Sequence, residues 1–354
     1  MSLTIHMMTA ALSPGDAIGN YILSLVRILR EWQCDVRLYT DHPNPVYPLA
    51  HLPTSAYQPT GKDILWLHYS IYSENIHWVE RSPDVVVFDS QNVSPAWLFH
   101  GYDPYMEQLC IQGEAFLDRL VPYPDLCVVH TDYVRDDLHR RGYRRIHKVP
   151  MVVDTGRFTG AGAPQWEPLL QGLDYLLFVG RIVPQKNLTT AVEVFAALHR
   201  RRPNLKFFLV GGHSLPGYSA ELEALINAHG LSEAVVFVGK VNEPQVLTSF
   251  FRHARFSTIL SHWESFCVPI AESLYFGTPV LGTTVPPIPE TMGPGGVVLE
   301  GPPDEMAARI DALWDDAPYY QRLQTDGQRH VQAFTDHSLR AALLNVFRDL
   351  ANGV

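Results

Sequence analysis

The stretch SHWESFCVPIAESLYFGTPVLG, residues 261–282, carries two carboxylates, Glu264 and Glu272, with seven residues between them. Small and apolar residues surround both, and a buried carboxylate is costly unless it is paired or hydrogen-bonded. Two of them framing a short apolar turn suggest a polar ligand. A carboxylate accepting from two vicinal hydroxyls makes the bidentate pairing that a ribose diol invites, which suits Glu272 one or two turns into a helix. Glu264, in the loop before it, can reach a sugar ring. A second stretch, FVGRIVPQKNL (178–188), ends a strand in Gly180 and then offers Arg181 and Lys186 before a helix. Two cations beside a helix entry form a trap for a diphosphate, because the charges pair with its oxygens and helix amides add donors. A third, SPGDAIGNYILSL (13–25), follows the first strand and opens the first helix. Gly15 and Gly19 let a ligand approach the backbone there, while Asp16 also reads as an ordinary helix cap.

These residues need a frame, and the chain alternates in a way that supplies one. Short β-rich runs (LTIHMMTA, DVRLYT, DILWLHY, DVVVFDS, DLCVVHT, RIHKVPM) are separated by segments of helical periodicity. Tyr21, Leu25, Ile28 and Leu29 follow the spacing of one helix face. Such alternation builds a parallel sheet with helices on both faces. Around 160–168 the chain turns Gly- and Pro-rich, a linker by composition, and then the alternation restarts with YLLFVGRI, LKFFLVGG, AVVFVGKV, FSTILS and PVLGTT. Helices are expected near 187–201 and 220–229. The expected fold is α/β, with two facing doubly wound Rossmann-like domains, 1–165 and 166–337, and a closing amphipathic helix, 338–354. Ligands should sit at the carboxyl ends of the strands.

Composition excludes several classes. With 46% hydrophobic and 18% charged residues the chain can bury cores and does not read as disordered. A net charge of -10 argues against a nucleic-acid binder. The local run RRGYRRIHK (140–148) is the exception and reads either as a solvated helix end or as an anionic-surface contact. Peripheral membrane contact is not otherwise indicated. Four scattered cysteines, Cys34, Cys110, Cys127 and Cys267, form no metal spacing and read as reduced thiols, and the first residues read as strand and loop, not as a leader; a cytoplasmic protein is expected. GxGxxG, GxxxxGK[ST] and GxSxG are absent, which counts against a classical dehydrogenase, an NTPase and a serine hydrolase. No D-x-D occurs, so no metal is expected.

Together, VGR…K, ESFCVPIAE, FGTPVLGT and GDAIGN resemble the retaining GT-B glycosyltransferases of family 4 (glycosyl transferases group 1), over nearly the whole chain. The resemblance implies that Glu272 holds the ribose of a nucleotide sugar and that Glu264 lies near the transferred sugar. It implies that Arg181 and Lys186 hold the diphosphate. Gly15, Asp16, Gly19, Gly180, Val241, Ser265, Phe266, Cys267 and Val268 complete the implied donor contacts. The closing helix is implied to cross back onto the N-terminal domain. The family usually carries a histidine after the strand that here reads VVVFDSQNVSP, a position that aligns with Gln91, or alternatively Asp89. Gln91 can hydrogen-bond a sugar hydroxyl or a leaving-group oxygen but cannot titrate; His68 in LWLHYS is a strand-end histidine that could substitute or serve the core.

The expected activity is therefore metal-independent, retaining transfer of a hexose from a UDP-, GDP- or ADP-sugar, with Glu264, Arg181, Lys186 and Gln91 as the catalytic group and no cofactor. The acceptor, a sugar, glycan or lipid-linked sugar, would be read by loops 69–78 and 95–105. The alternatives are a GT-B epimerase or hydrolase and a catalytically weak nucleotide-sugar-binding protein.

Overall fold

A computed structural model describes residues 3–158, 160–241 and 243–353. The chain divides into two compact units, Met1–Asp154 with Phe334–Val354, and Thr155–Ala333.

The first domain holds a seven-stranded sheet of β1 (Thr4–Ala11), β2 (Asp35–His42), β3 (Leu52–Pro53), β4 (Ile64–Tyr69), β5 (Val85–Ser90), β6 (Leu126–Val129) and β7 (Ile146–Lys148). Its order is β3-β2-β1-β4-β5-β6-β7, and the pairs are parallel, with Met7 opposite Leu38 on one side and Trp66 on the other. β4 reads ILWLHY and is buried throughout, the continuous apolar run expected of a parallel strand covered on both faces. The helix Ala17–Glu31 buries Tyr21, Ile22, Leu25, Val26, Ile28 and Leu29.

The second domain repeats the plan with β8 (Tyr175–Val179), β9 (Lys206–Val210), β10 (Val235–Gly239), β11 (Phe256–Ile259), β12 (Val280–Gly282) and β13 (Gly296–Val298), in the order β10-β9-β8-β11-β12-β13, again parallel. Helices Leu188–His199 and Pro216–Ala228 fall close to the spans that periodicity suggests.

The structural division lies at 154/155, earlier than the composition boundary at 165/166. The Gly- and Pro-rich segment is part of the second domain: Ala163 donates its N–H to Ser249 Oγ at 2.9 Å and to Gln245 O at 3.1 Å. A run of small residues that composition marks as linker is here packed structure. The second division, at 333/334, also precedes the sequence boundary at 337/338.

The closing helix, Asp336–Gly353, packs within the first domain through Leu339, Leu343, Val346 and Leu350, all buried and spaced along one face. Arg340 donates to Glu31 at 2.5 Å, and Arg145 Nη2 donates to Asp349 O at 2.6 Å. The apolar stripe should carry most of the energy, because exposed ion pairs contribute about 0–1 kcal/mol each. Leu343→Ala is expected to cost about 2–5 kcal/mol. In scanning calorimetry this should appear as a lowered transition for the first domain with that of the second unchanged.

Candidate active site

In the second domain the strand order reverses between β8 and β11, the place where doubly wound sheets open a ligand crevice at their carboxyl ends. Both chemistry-bearing stretches arrive there. Residues 180–182 extend the β8–β9 pairing, with Gly180 N–H donating to Val210 O and Ile182 N–H to Gly212 O, both at 2.9 Å. Arg181 between them is exposed. Lys186 closes the turn Pro184–Lys186 and donates through Nζ to Glu264 Oε1 at 2.8 Å and Oε2 at 2.9 Å. Ser261 Oγ donates to Glu264 Oε1 at 2.6 Å. Three further bonds lace the two loops: Gln185 Nε2 to Trp263 O (3.1 Å), Asn187 Nδ2 to Leu260 O (3.0 Å) and His262 N–H to Gln185 O (2.9 Å).

Lys186 and Glu264 therefore form one unit. An ammonium has three hydrogens; two lie on Glu264, which leaves one for a ligand oxygen. Glu264 is only 4% exposed, and its cation is what makes that burial tolerable. Phe266 and Cys267 turn their side chains into the core, so they offer a ligand only backbone, while Ser265 and Val268 are half-buried. Burial pushes the Cys267 thiol well up, with Glu264 adding to the effect. Cys267 is in the left-handed conformation at φ 74° and opens the helix Val268–Tyr275.

Glu272 lies inside that helix, 4% exposed. Its partner is one that sequence reasoning missed: Arg157 donates to it through Nη2. Burial pushes the Glu272 carboxyl up, and Arg157 works against that shift. Val241 stands apart, lining a cavity of about 600 Å³ with Gln165, Trp166, Glu243 and Val246.

In the first domain the order reverses between β1 and β4. The turn after β1 requires its glycines. Gly15 sits at φ +81°, and a Cβ on Gly19 would meet Ser13 O at 2.5 Å. Asp16 caps the helix, its Oδ1 accepting from Gly19 N–H at 2.8 Å. Beside this turn, β4, β5 and β6 end in a buried polar cluster. Asp89, wholly buried, accepts from Trp66 Nε1 at 2.9 Å and from Gln91 Nε2 at 2.6 Å. His130 Nε2 lies 3.1 Å from Asp89 Oδ1 and 2.7 Å from Gln91 Nε2, and its Nδ1 donates to Val149 O at 2.8 Å. His68 Nδ1 lies 3.3 Å from Asp89 Oδ2, within ion-pair reach but outside hydrogen-bond geometry. Burial works to raise the Asp89 carboxyl, and His68 and His130 outweigh it, holding the group below the usual carboxylate range.

The cluster fixes what Gln91 can do. A carboxylate only accepts, so the amide nitrogen must face Asp89. The same nitrogen lies against His130 Nε2. Gln91 is left with Oε1 alone to offer a ligand, which can accept from a sugar hydroxyl but cannot donate to a leaving-group oxygen. His68 and Asp89 belong to this same cluster. His130 is the addition, and its only sequence signal was a strand-end position in DLCVVHT like that of His68.

The remaining expectations divide. Tyr69 is buried, whereas Trp97 and Tyr105 are 59% and 68% exposed. In the basic run, Arg140, Arg141, Arg145, His147 and Lys148 pair with Asp137, Glu114, Asp118, Asp349 and Asp132, so most of its charge is neutralised. Among the described residues His6, Asp63 and Asp84 form the one group spaced to hold a cation. Their atoms are already engaged by Tyr39, Tyr57, Thr60 and the Gly61 amide, near the starts of β1, β4 and β5. Among the described residues, no helix is long and apolar enough to cross a membrane.

Two Rossmann-like parallel-sheet domains, the second with its charged pair at the switch point, define the GT-B class. Residues 166–330 match the family model of glycosyl transferases group 1. A D-inositol 3-phosphate glycosyltransferase of Jonesia denitrificans is 26% identical over 310 residues, 80% of this chain and 71% of the relative. Sucrose-phosphate synthase from Thermosynechococcus elongatus superposes with a TM-score of 0.81 at 17% identity, covering 99% of this chain and 100% of its own. Anabaena HepE in complex with UDP-glucose gives 0.72 at 15% identity, covering 98% and 99%. These similarities bear out the resemblance to the group 1 (family 4) GT-B glycosyltransferases, with the family model on residues 166–330, and support a glycosyl-transferring enzyme.

Proposed function

We propose that the protein transfers a hexosyl group from a nucleotide diphosphate sugar to an acceptor hydroxyl, with retention at the anomeric carbon and without a metal ion. The observation that carries this reading is the arrival of Arg181 and the Lys186–Glu264 pair at the switch point of the second sheet. Relatives named for glycosyl transfer to D-inositol 3-phosphate and a fold neighbour that binds UDP-glucose support it. Arg181 and the third hydrogen of Lys186 would take the charge of the departing nucleoside diphosphate, a preorganised electrostatic role. Glu264 would accept from hydroxyls of the transferred sugar, and Glu272 from the ribose. The acceptor's proton would pass to a donor phosphate oxygen, so no side-chain base is required and Gln91 need only accept a hydroxyl. The acceptor is a sugar, glycan or lipid-linked sugar, and a cytoplasmic location belongs to the same reading.

A thermal-shift panel of UDP-, GDP- and ADP-sugars in excess EDTA tests it. A sugar nucleotide at a hundredfold excess over its Kd should stabilise the protein by about 2.7 kcal/mol. Transfer with that donor should run in EDTA within about twofold of the rate with added Mg²⁺, well below the tenfold that 1.36 kcal/mol represents. No response to any donor, or activity lost on chelation and restored by metal, would count against the reading; so would product formed without acceptor.

A further inference from the structure

We propose that Arg157 is a positioning residue for nucleotide binding in the second domain, holding the buried Glu272 as a fixed carboxylate acceptor for the vicinal hydroxyls of a ribose. The inference rests on the donor-site reading above and adds to it a residue that no sequence motif marks.

Glu272 is surrounded on its helix by the buried Ile270, Ala271, Ser273 and Leu274. A lone carboxyl in such a setting takes up a proton, and a protonated carboxyl no longer offers two acceptor oxygens to a diol. The helix is packed by Ala317–His330, by Ile288–Met292 and by β11 and β12. Glu290, Arg322, Asp326, Arg329 and His330 stand on those elements with Tyr319 and Tyr320, and Tyr275 stands on its own helix. None of them bears on Glu272. Burial and Arg157 are the two influences on its carboxyl.

Arg157 is itself held in place. It comes from the turn Thr155–Phe158, and its guanidinium carbon lies 4.5 Å from the centre of the Phe158 ring. Phe158 in turn packs on Tyr275 at 6.2 Å and Phe276 at 5.1 Å, at the end of Glu272's own helix. The cation is thus clamped to the element that carries the carboxylate. Its Nε–H is buried and has no acceptor among the described residues, so the guanidinium keeps a donor in reserve. A ribose hydroxyl that donates to Glu272 has lone pairs free to accept from such a donor.

The test is binding of UDP, GDP and ADP and their 2′-deoxy counterparts to the full chain by calorimetry between pH 6 and 8. The wild-type protein should prefer the ribonucleotide it binds by about tenfold, the measure of one hydrogen bond to a charged group, with little change across this range. Arg157→Met should show a weaker preference that shrinks further as pH is lowered, because burial, no longer opposed by Arg157, pushes the Glu272 carboxyl further up toward its protonated form. Arg157→Lys should restore the flat profile. If Arg157→Met does not fold, Arg157→Gln serves in its place, since it keeps a donor toward Glu272 without the charge. A wild-type protein that binds none of the three nucleotides overturns the donor-site reading and this inference with it. Ribose preference that is abolished by Glu272→Ala but untouched by Arg157→Met or Arg157→Gln, with a flat pH profile, overturns the role of Arg157 alone.

Discussion

Lys186→Met is expected to slow transfer by on the order of 10²–10³, the effect of removing one preorganised donor from a developing charge. It is also expected to destabilise the second domain by about 3–5 kcal/mol, as breaking a buried pair does. The second effect follows from the pairing. With its ammonium gone, Glu264 at 4% exposure keeps Ser261 Oγ but has no counter-charge. Glu264→Gln separates the two roles, because a neutral amide in the same place needs no cation. That variant should keep most of its stability and bind free nucleoside diphosphate at least as well as wild type, since Lys186 is released toward the phosphates. It should nonetheless lose turnover, because an interaction made mainly in the transition state appears in kcat and not in KM. The double variant Lys186→Met/Glu264→Leu should recover stability without recovering rate, since replacing both partners by apolar groups is often nearly neutral. Arg181→Ala is the control: exposed, it should weaken nucleoside diphosphate binding by about 1.5–3 kcal/mol with stability unchanged. Chemical denaturation, calorimetric Kd and steady-state kinetics read these quantities separately. A Lys186→Met protein of normal stability and normal transfer rate would dismiss both roles.

The expectations that came from local patterns fared differently from those that depend on tertiary pairing. Alternation of apolar strands with helical faces marks the two Rossmann-like sheets, because each parallel strand needs its run of apolar residues and each crossover helix its stripe. The strand-end placement of Arg181, Glu264 and Gln91 follows from the same periodicity. What the sequence does not carry is who meets whom. Lys186 and Glu264 are 78 residues apart, and Arg157 and Glu272 are 115 apart. Each pair is brought together only by the order in which strands enter the sheet. Arg157 stands beside Gly- and Pro-rich chain with no periodicity, in a segment whose composition imitates a linker. His130 had the same local signal as His68, and only the neighbouring of β4, β5 and β6 shows that both address Asp89.

Asp89→Ala should be among the most damaging single changes in the first domain, although Asp89 is not itself assigned to substrate. It would strip an acceptor from Trp66 Nε1 and from the Gln91 amide and remove the carboxylate that faces both His68 and His130. A loss of about 3–5 kcal/mol is expected, the range for breaking a buried charged network. Asp89→Asn is the sharper probe, because it keeps the shape. Its Oδ1 can still accept from Trp66, but its amide nitrogen then faces Gln91, where two N–H groups would oppose each other. Gln91 must turn over, and the group it offers a ligand changes from an acceptor to a donor. Transfer should therefore fall in kcat with nucleoside diphosphate affinity unchanged, whereas damage to the core alone would lower stability and leave kcat per folded molecule intact. The pH dependence has a definite sign. His68 and His130 hold the Asp89 carboxyl below its ordinary value against the effect of burial, so its unfolded value, about 3.9, lies above the folded one. Its contribution to stability is fully present above about pH 4–5 and is lost as pH falls through the folded value. The stability gap between wild type and Asp89→Asn should accordingly stay level from about pH 5 to pH 8 as far as this carboxylate is concerned, and close on the acid side. A gap that widened below pH 4 would mean that Asp89 is buried as the neutral acid and that the two histidines do not stabilise its charge. An Asp89→Asn enzyme with wild-type kcat would mean that the orientation of Gln91 has no part in transfer.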